Sequence, residues 1–165
     1  MQFCIRKVRK DDAAILAYIQ TTSWKSAFKN LIGDDDLESM TNLDRVTAMY
    51  SRILNENKWN GYIGELDGKP HCMAWWDKAR DDDLSQCAEI ICIHSLPDNW
   101  RKGFGSKMMD TLIADILKAG FHTVILWVFT ENERARRFYE AKGFVATDRV
   151  KSLLGTTEIC YMKEI

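Results

Sequence analysis

The chain has 165 residues, 46% of them hydrophobic and 28% charged, with two prolines and nine glycines, a balance that excludes disordered and collagen-like classes. At roughly one domain per 150 residues, a single domain over residues 1–165 is expected, large enough to bury a core without disulfide or metal staples. The 23 Lys and Arg against 24 Asp and Glu leave a formal net charge of −1, which removes the overall basic footprint of a duplex-binding protein, so any anion site must be local.

The chain opens on Phe3-Cys4-Ile5-Arg6-Lys7-Val8, a short strand pattern without the apolar core of a secretory signal. Asp11 or Asp12 then caps a helix carrying Ala14, Ile15, Tyr18 and Ile19, and a second helical stretch is expected from near Ser23. The acidic runs Asp34 to Asp36 and Asp81 to Asp83 read as solvated loops, because neither continues into a calcium-loop pattern. Leu43, Val46, Met49, Tyr50, Ile53 and Leu54 keep a 3,4 period and predict a helix before Asn60-Gly61. Tyr62 to Leu66, the turn Asp67-Gly68 and His71 to Trp76 read as a hairpin, since Asp-Gly supplies the positive φ angles of a tight turn.

Ala88 to His94 carries an apolar run suited to a central strand. After Pro97 and a glycine-bearing loop, Met109, Leu112, Ile113, Ile116 and Leu117 line one face of a helix that Gly120 ends. His122 to Phe129 is a strand, Asn132 to Lys142 a helix closed by Gly143, and Phe144 to Val150 and Thr156 to Met162 are two closing strands. The expected class is α/β: one mixed, mostly antiparallel twisted sheet of six to seven strands flanked by about four helices. The longest apolar runs, such as Val124 to Phe129, fall far short of the about 20 residues a bilayer span needs. The five cysteines, Cys4, Cys72, Cys87, Cys92 and Cys160, are odd in number and form no Cys-x-x-Cys pair. Reduced thiols, no metal site and a cytoplasmic location are therefore expected.

The segment from Asp98 to Lys107 joins a strand to a helix and brings Gly103, Gly105, Arg101, Lys102 and Lys107 to the helix N-terminus. Glycine lets backbone approach a pyrophosphate closely and first-turn N–H groups can donate to it; alternatively the two glycines only shape a turn. A dinucleotide fingerprint would need glycine at Met108, and Gly105-Ser106-Lys107 does not fit a P-loop.

Pro97 followed six residues later by Gly-x-Gly, and then the run from Asn132 to Phe144 with Ala135, Tyr139 and Gly143, resemble the GNAT superfamily of acetyl-CoA-dependent N-acetyltransferases. Residues 88–144 carry the specific part of the resemblance, and Ile5-Arg6, the Asp11/Asp12 helix and the Trp24 segment extend it weakly toward the start. Trp100 departs from the family pattern, which has Gln or Arg three residues before the first glycine. The resemblance implies acetyl-CoA as co-substrate, its pyrophosphate held mainly by backbone N–H groups of Arg101, Lys102, Gly103, Phe104, Gly105 and Ser106. It also implies a cofactor arm along Ile91, Cys92 and Ile93, with Asn132, Arg134 and Arg136 near the arm and the 3′-phosphate. For the two arginines a solvated helix face, and for Asn132 a helix cap, stay open as alternatives.

An alkylamine of pKa about 10.4 is almost entirely protonated at neutral pH, so a base is useful to acetyl transfer. The resemblance points to Glu89, fourteen residues before Gly103, as that base, with a surface carboxylate as the other reading. It points to Tyr139 as the acid that protonates the departing thiolate. His94 is a further base candidate. Cys92 reads as an inert core thiol, which favours direct attack in a ternary complex over an acetyl-enzyme. Acceptor residues to watch are Trp24, Phe28, Trp75, Trp76 and the loop Asp81 to Asp83, a mixture of rings and carboxylates suited to a cationic amine. The expected partner is a small-molecule amine or a peptide N-terminus, with no nucleic acid and no membrane, and a homodimer is a possible assembly. The rival reading is an acyl-CoA-binding regulatory domain without turnover.

Overall fold

The computed structural model describes residues 2–165, Asn99 by its backbone alone. In chain order the elements are β1 (Phe3–Lys7), α1 (Ala13–Ala27), α2 (Asp34–Met40), α3 (Leu43–Asn55), β2 (Asn60–Leu66), β3 (Lys69–Lys78), β4 (Ala88–Ser95), α4 (Phe104–Lys118), β5 (Thr123–Phe129), α5 (Glu133–Ala141), β6 (Val145–Leu153) and β7 (Thr156–Glu164). Short 3-10 turns lie at Asp82–Leu84 and Pro97–Asn99. The strands form one seven-stranded sheet in the order β1-β2-β3-β4-β5-β7-β6, antiparallel except for the β4–β5 pair. This is the mixed α/β architecture that the element order predicts. No helix among the described residues is long and apolar enough to cross a membrane.

Period-2 alternation divides the core between the two sheet faces. One face buries Tyr62, Ala74, Trp76, Ile90, Val124, Leu126 and Tyr161 against Met108, Met109, Leu112 and Ile116 of α4 and Tyr139 of α5. The other buries Ile63, Met73 and Trp75 against Leu16 and Ile19 of α1 and Val46, Tyr50 and Ile53 of α3. A fully buried aliphatic side chain contributes about 1.5–3 kcal/mol, so these two layers dominate stability. Trp75 and Trp76, expected at the acceptor site, are 1% and 4% exposed and point to opposite layers; both are core residues.

Three local expectations are corrected. Helix α1 runs unbroken through Ser23, because nothing between Ile19 and Ser23 breaks it and Thr21 and Ser23 return their hydroxyls to helix carbonyls, Ala17 at 2.8 Å and Gln20 at 3.0 Å. Asp34 to Asp36 form the first turn of α2 instead of a loop, where three carboxylates meet the positive end of the helix dipole. Asp12 stands at the start of α1 without capping it through its side chain. Its carboxylate accepts the Arg6 guanidinium at 2.8 and 2.9 Å and the Arg9 N–H at 2.6 Å, and Arg6 reaches on to Glu65 at 2.9 Å, fastening β1 to α1 and β2. The turn at Asp67 (φ 50°) and Gly68 (φ 76°) has the positive angles that Asp-Gly predicts.

The feature that positions the site is a gap inside the sheet. Strand β4 pairs with β5 only at Ala88–Val124, Glu89–Ile125 and Ile90–Leu126. On its other side β4 shifts register against β3, with Trp76 opposite Ile90 and Trp75 opposite Cys92, so that Ile91 is an extra, bulged residue. Beyond the bulge β4 follows β3 as far as Ser95, while β5 follows β7 as far as Phe129. The two strands splay into a V with no strand between them.

Candidate active site

At the open end of the V, Gly103 sits at φ 82° immediately before α4, and Arg101 at φ 64°. Positive φ at alternate residues turns successive N–H groups toward one side, a geometry suited to anions. The first backbone bond of the helix runs from Lys107 N–H to the Gly103 carbonyl at 3.2 Å. The N–H groups of Phe104, Gly105 and Ser106 have no backbone acceptor among the described residues. A Cβ at Gly103 would meet nothing within 4 Å, so the space before the helix end is open. Phosphate therefore fits this loop in both charge and space.

Trp100 explains itself in three dimensions. Its indole N–H donates to the Ser95 carbonyl at 2.9 Å, pinning the loop to the end of β4. The Arg134 guanidinium lies over its ring at 3.3 Å from the centroid, so the loop and the start of α5 meet across the mouth of the V. Partial burial, and then repulsion from Arg101, pull the Arg134 pKa down, so both cations act near the helix end. Arg136, expected on the cofactor, turns inward: it donates to the Tyr161 hydroxyl at 2.9 Å and to the Thr130 carbonyl at 2.8 Å. Asn132 caps α5, its side-chain oxygen accepting the Ala135 N–H at 3.3 Å.

Inside the V, Ile93 joins the α4 layer, while Ile91 and Cys92 pack on the α1–α3 layer. Tyr139 enters from α5. Its ring is 8% exposed and packs against Phe138, Phe144 and Tyr161, and its hydroxyl makes no hydrogen bond among the described residues. Burial holds that hydroxyl well above its ordinary pKa range; Cys92 adds to the effect and Arg134 opposes it. Burial pushes the Cys92 thiol up to about 12, so the sulfur is a neutral thiol at physiological pH.

Glu89, His94 and Glu158 share the α1–α3 side of the sheet, as their partners Ile125, Met73 and Phe129 do. Glu89 is 1% exposed and is fully engaged by Arg80, accepting its backbone N–H at 3.0 Å, its Nε at 3.1 and 3.3 Å and its Nη2 at 2.6 Å. It is neither a surface carboxylate nor one with a vacant oxygen. His94 accepts the Trp24 indole N–H on Nε2 at 3.1 Å, and burial takes its pKa down to about 4, so it is neutral. Trp24 packs on Phe28 (4.9 Å between ring centroids) and Phe28 on Phe129 (5.1 Å), forming an aromatic wall beside the gap. In the acidic loop Asp81 accepts the Trp127 indole N–H at 3.1 Å and Asp83 pairs with Arg149. Sequence reasoning missed Arg80 and Glu158. The signal for Glu158 is its alternation with Cys160 and Met162, which puts a carboxylate on an otherwise apolar strand face.

Comparison with known proteins agrees with this fold. The model of the acetyltransferase (GNAT) family matches residues 21–144. A Mycobacterium tuberculosis protein named as a probable N-acetyltransferase is 25% identical over 144 residues, covering 85% of this chain and 78% of that protein. An uncharacterized N-acetyltransferase of Methanocaldococcus jannaschii is 32% identical over 97 residues, 56% of this chain and 42% of that protein. Among solved structures, the PaiA N-acetyltransferase of Thermoplasma acidophilum in complex with coenzyme A superposes with a TM-score of 0.86 at 18% identity, covering 100% of both chains. The YncA protein of Salmonella typhimurium, solved with acetyl-CoA, gives a TM-score of 0.73 at 19% identity over 98% of this chain and 93% of that one.

Proposed function

The chain belongs to the acetyltransferase (GNAT) family, and from that premise we propose that it transfers an acetyl group from acetyl-CoA to a primary amine by direct attack in a ternary complex. The observation that carries the reading is the V between β4 and β5, with donor N–H groups at its mouth, beside an α5 whose buried Tyr139 has a hydroxyl without a hydrogen-bond partner among the described residues. Acetyl-CoA supplies the activated acetyl group as a thioester.

The chain's own residues then divide the work. The N–H groups of Phe104, Gly105 and Ser106, with Arg101, Lys102 and Arg134, hold the pyrophosphate and adjacent phosphate charge. Strand β4 from Ile91 to Ile93 offers its unpaired edge to the cofactor arm. Tyr139 keeps its proton until a thiolate departs beside it; a thiol pKa near 8.5 makes that assistance worth about 10- to 100-fold. Arg136 and Asn132 position α5 so that Tyr139 meets the gap. Cys92, a neutral thiol, takes no acetyl group. A thiol-release assay with acetyl-CoA against a panel of amines, run beside calorimetry with acetyl-CoA alone, tests the reading. Release that depends on an amine supports it; tight binding without release for any amine assigns the regulatory role instead.

A further inference from the structure

The α1–α3 side of the sheet holds, one strand beyond the gap, a carboxylate that the fold does not use. Two cations act on it, and each is committed elsewhere. Arg80 is spent on Glu89 at 2.6 Å, and Lys151 rests over the Trp127 ring at 4.0 Å from its centroid. Glu158 itself is half-buried on β7, opposite Phe129 of β5 and Lys151 of β6. Among the described residues its side chain accepts no hydrogen bond and forms no ion pair, although burying a carboxylate without a partner is unfavourable. Its neighbour Phe129 completes the aromatic wall with Phe28 and Trp24, and Trp24 leads to His94 on the far arm of the V. A half-buried carboxylate opposite Phe129, from which ring contacts run on through Phe28 to Trp24, is a site for an organic cation.

We propose that Glu158 receives the acceptor's ammonium group and takes its proton, while Trp24, backed by the buried rings of Phe28 and Phe129, covers the carbon stem, so that acceptors are amines protonated at neutral pH. The inference rests on the acetyl-transfer reading and names the acceptor side of the same site. The other two candidate bases are occupied: both Glu89 oxygens accept from Arg80, and Nε2 of His94 accepts from Trp24. Burial lifts the Glu158 pKa, Lys151 and Arg80 pull it back, and Glu89 lifts it again, which suits a group that must take up a proton. The step balances as follows. The ammonium nitrogen passes one proton to Glu158, its freed lone pair forms the N–C bond and the C–S bond breaks. The sulfur takes the Tyr139 proton, the nitrogen's second proton restores Tyr139, and Glu158 releases its proton to water.

The test uses Glu158→Gln, which keeps the shape and removes the charge, and three amines of increasing size, each beside its isosteric alcohol. By calorimetry on the protein saturated with coenzyme A, the wild type should prefer at least one amine over its alcohol by about tenfold or more, and Glu158→Gln should lose that preference. In turnover, kcat/KM for that amine should fall about 100-fold and the acid limb of its pH profile should vanish, with Arg80, Lys151 and Glu89 unchanged around the site. Glu158→Asp should recover part of both. An amine preference that survives Glu158→Gln, a wild type that binds every amine no better than its alcohol, or an acid limb that persists in the variant overturns the proposal. Amine binding that depends on Glu158 in a protein without transfer would support this assignment and refute the acetyl-transfer reading, so the two fail separately.

Discussion

Replacing Tyr139 by Phe removes one hydroxyl and nothing else that the fold uses. The ring stays between Phe138, Phe144 and Tyr161, at centroid distances of 5.4, 6.1 and 6.5 Å, and the lost group has no hydrogen-bond partner among the described residues. Stability should therefore change by less than about 0.5 kcal/mol, a shift in Tm of about 1–2 °C at this size. If the hydroxyl protonates the departing thiolate, kcat should fall about 10- to 100-fold, or about 1.4–2.7 kcal/mol of barrier, with the acetyl-CoA Kd unchanged. The raised hydroxyl pKa keeps the donor protonated throughout the range from about pH 6 to about pH 9, so the loss should be flat across it. Single-turnover thiol release isolates the chemical step, and calorimetry gives the Kd. Full turnover in the variant when chemistry limits the rate would refute the acid role, and a Tm drop well beyond the expected shift would show that the hydroxyl supports the fold.

Gly103→Val forces a β-branched residue to φ 82° and fills the open space before α4; acetyl-CoA binding should be lost by calorimetry, and binding as tight as wild type would sink the loop assignment. Glu89→Gln leaves the Arg80 fork half-satisfied; chemical denaturation should show a loss of about 1–3 kcal/mol, and the accompanying loss of activity should not depend on pH. An activity loss that shrinks as pH rises would instead make Glu89 the base. His94 is held neutral, with its pKa lowered from 6.5 to about 4, so as pH falls the unfolded chain binds the proton first and stability declines between about pH 6.5 and pH 4. The full drop corresponds to about 3 kcal/mol, and His94→Gln, which keeps an acceptor for Trp24, should flatten that part of the stability profile in urea titrations; parallel profiles would exclude it.

Local signals in the sequence led to the right elements because their causes are local. The Asp67-Gly68 hairpin, the α4 start at Gly103, the Asn132 cap and the Tyr139 position each depend on a few consecutive residues. Side-chain destinations depended on pairing register, which the sequence does not print. Adjacent Trp75 and Trp76 went to opposite layers because strand neighbours alternate. Glu89 was readable as a carboxylate near the cofactor, but not as the partner of Arg80, which a loop and a hairpin edge bring back across nine residues. Arg136 looked like its solvated neighbours Arg134 and Arg137, yet it alone among the three finds Tyr161 and the Thr130 carbonyl behind it. Asp34 to Asp36 have the charge of a solvated loop, but the positive end of a helix dipole stabilises the same three carboxylates in a first turn.

The bulge at Ile91 ties the fold to the chemistry. A regular β4 would continue alongside β5, bury its backbone groups in a ladder and seal one sheet face from the other. With one residue added, pairing stops after Ile90, and the exposed strand edge must find water or a ligand, since a buried unpaired backbone group costs about 1–3 kcal/mol. The same break opens the sheet between the two layers: Tyr139 packs in the α5 layer, Cys92 and His94 of β4 lie on the other face, and Glu158 stands one strand further on, opposite Phe129. On the proposed reading, Tyr139 serves the sulfur and Glu158 the amine. Arg136 makes this arrangement rigid, because its bonds to Thr130 at the end of β5 and to Tyr161 on β7 anchor α5 to the arm of the V that moves away from β4.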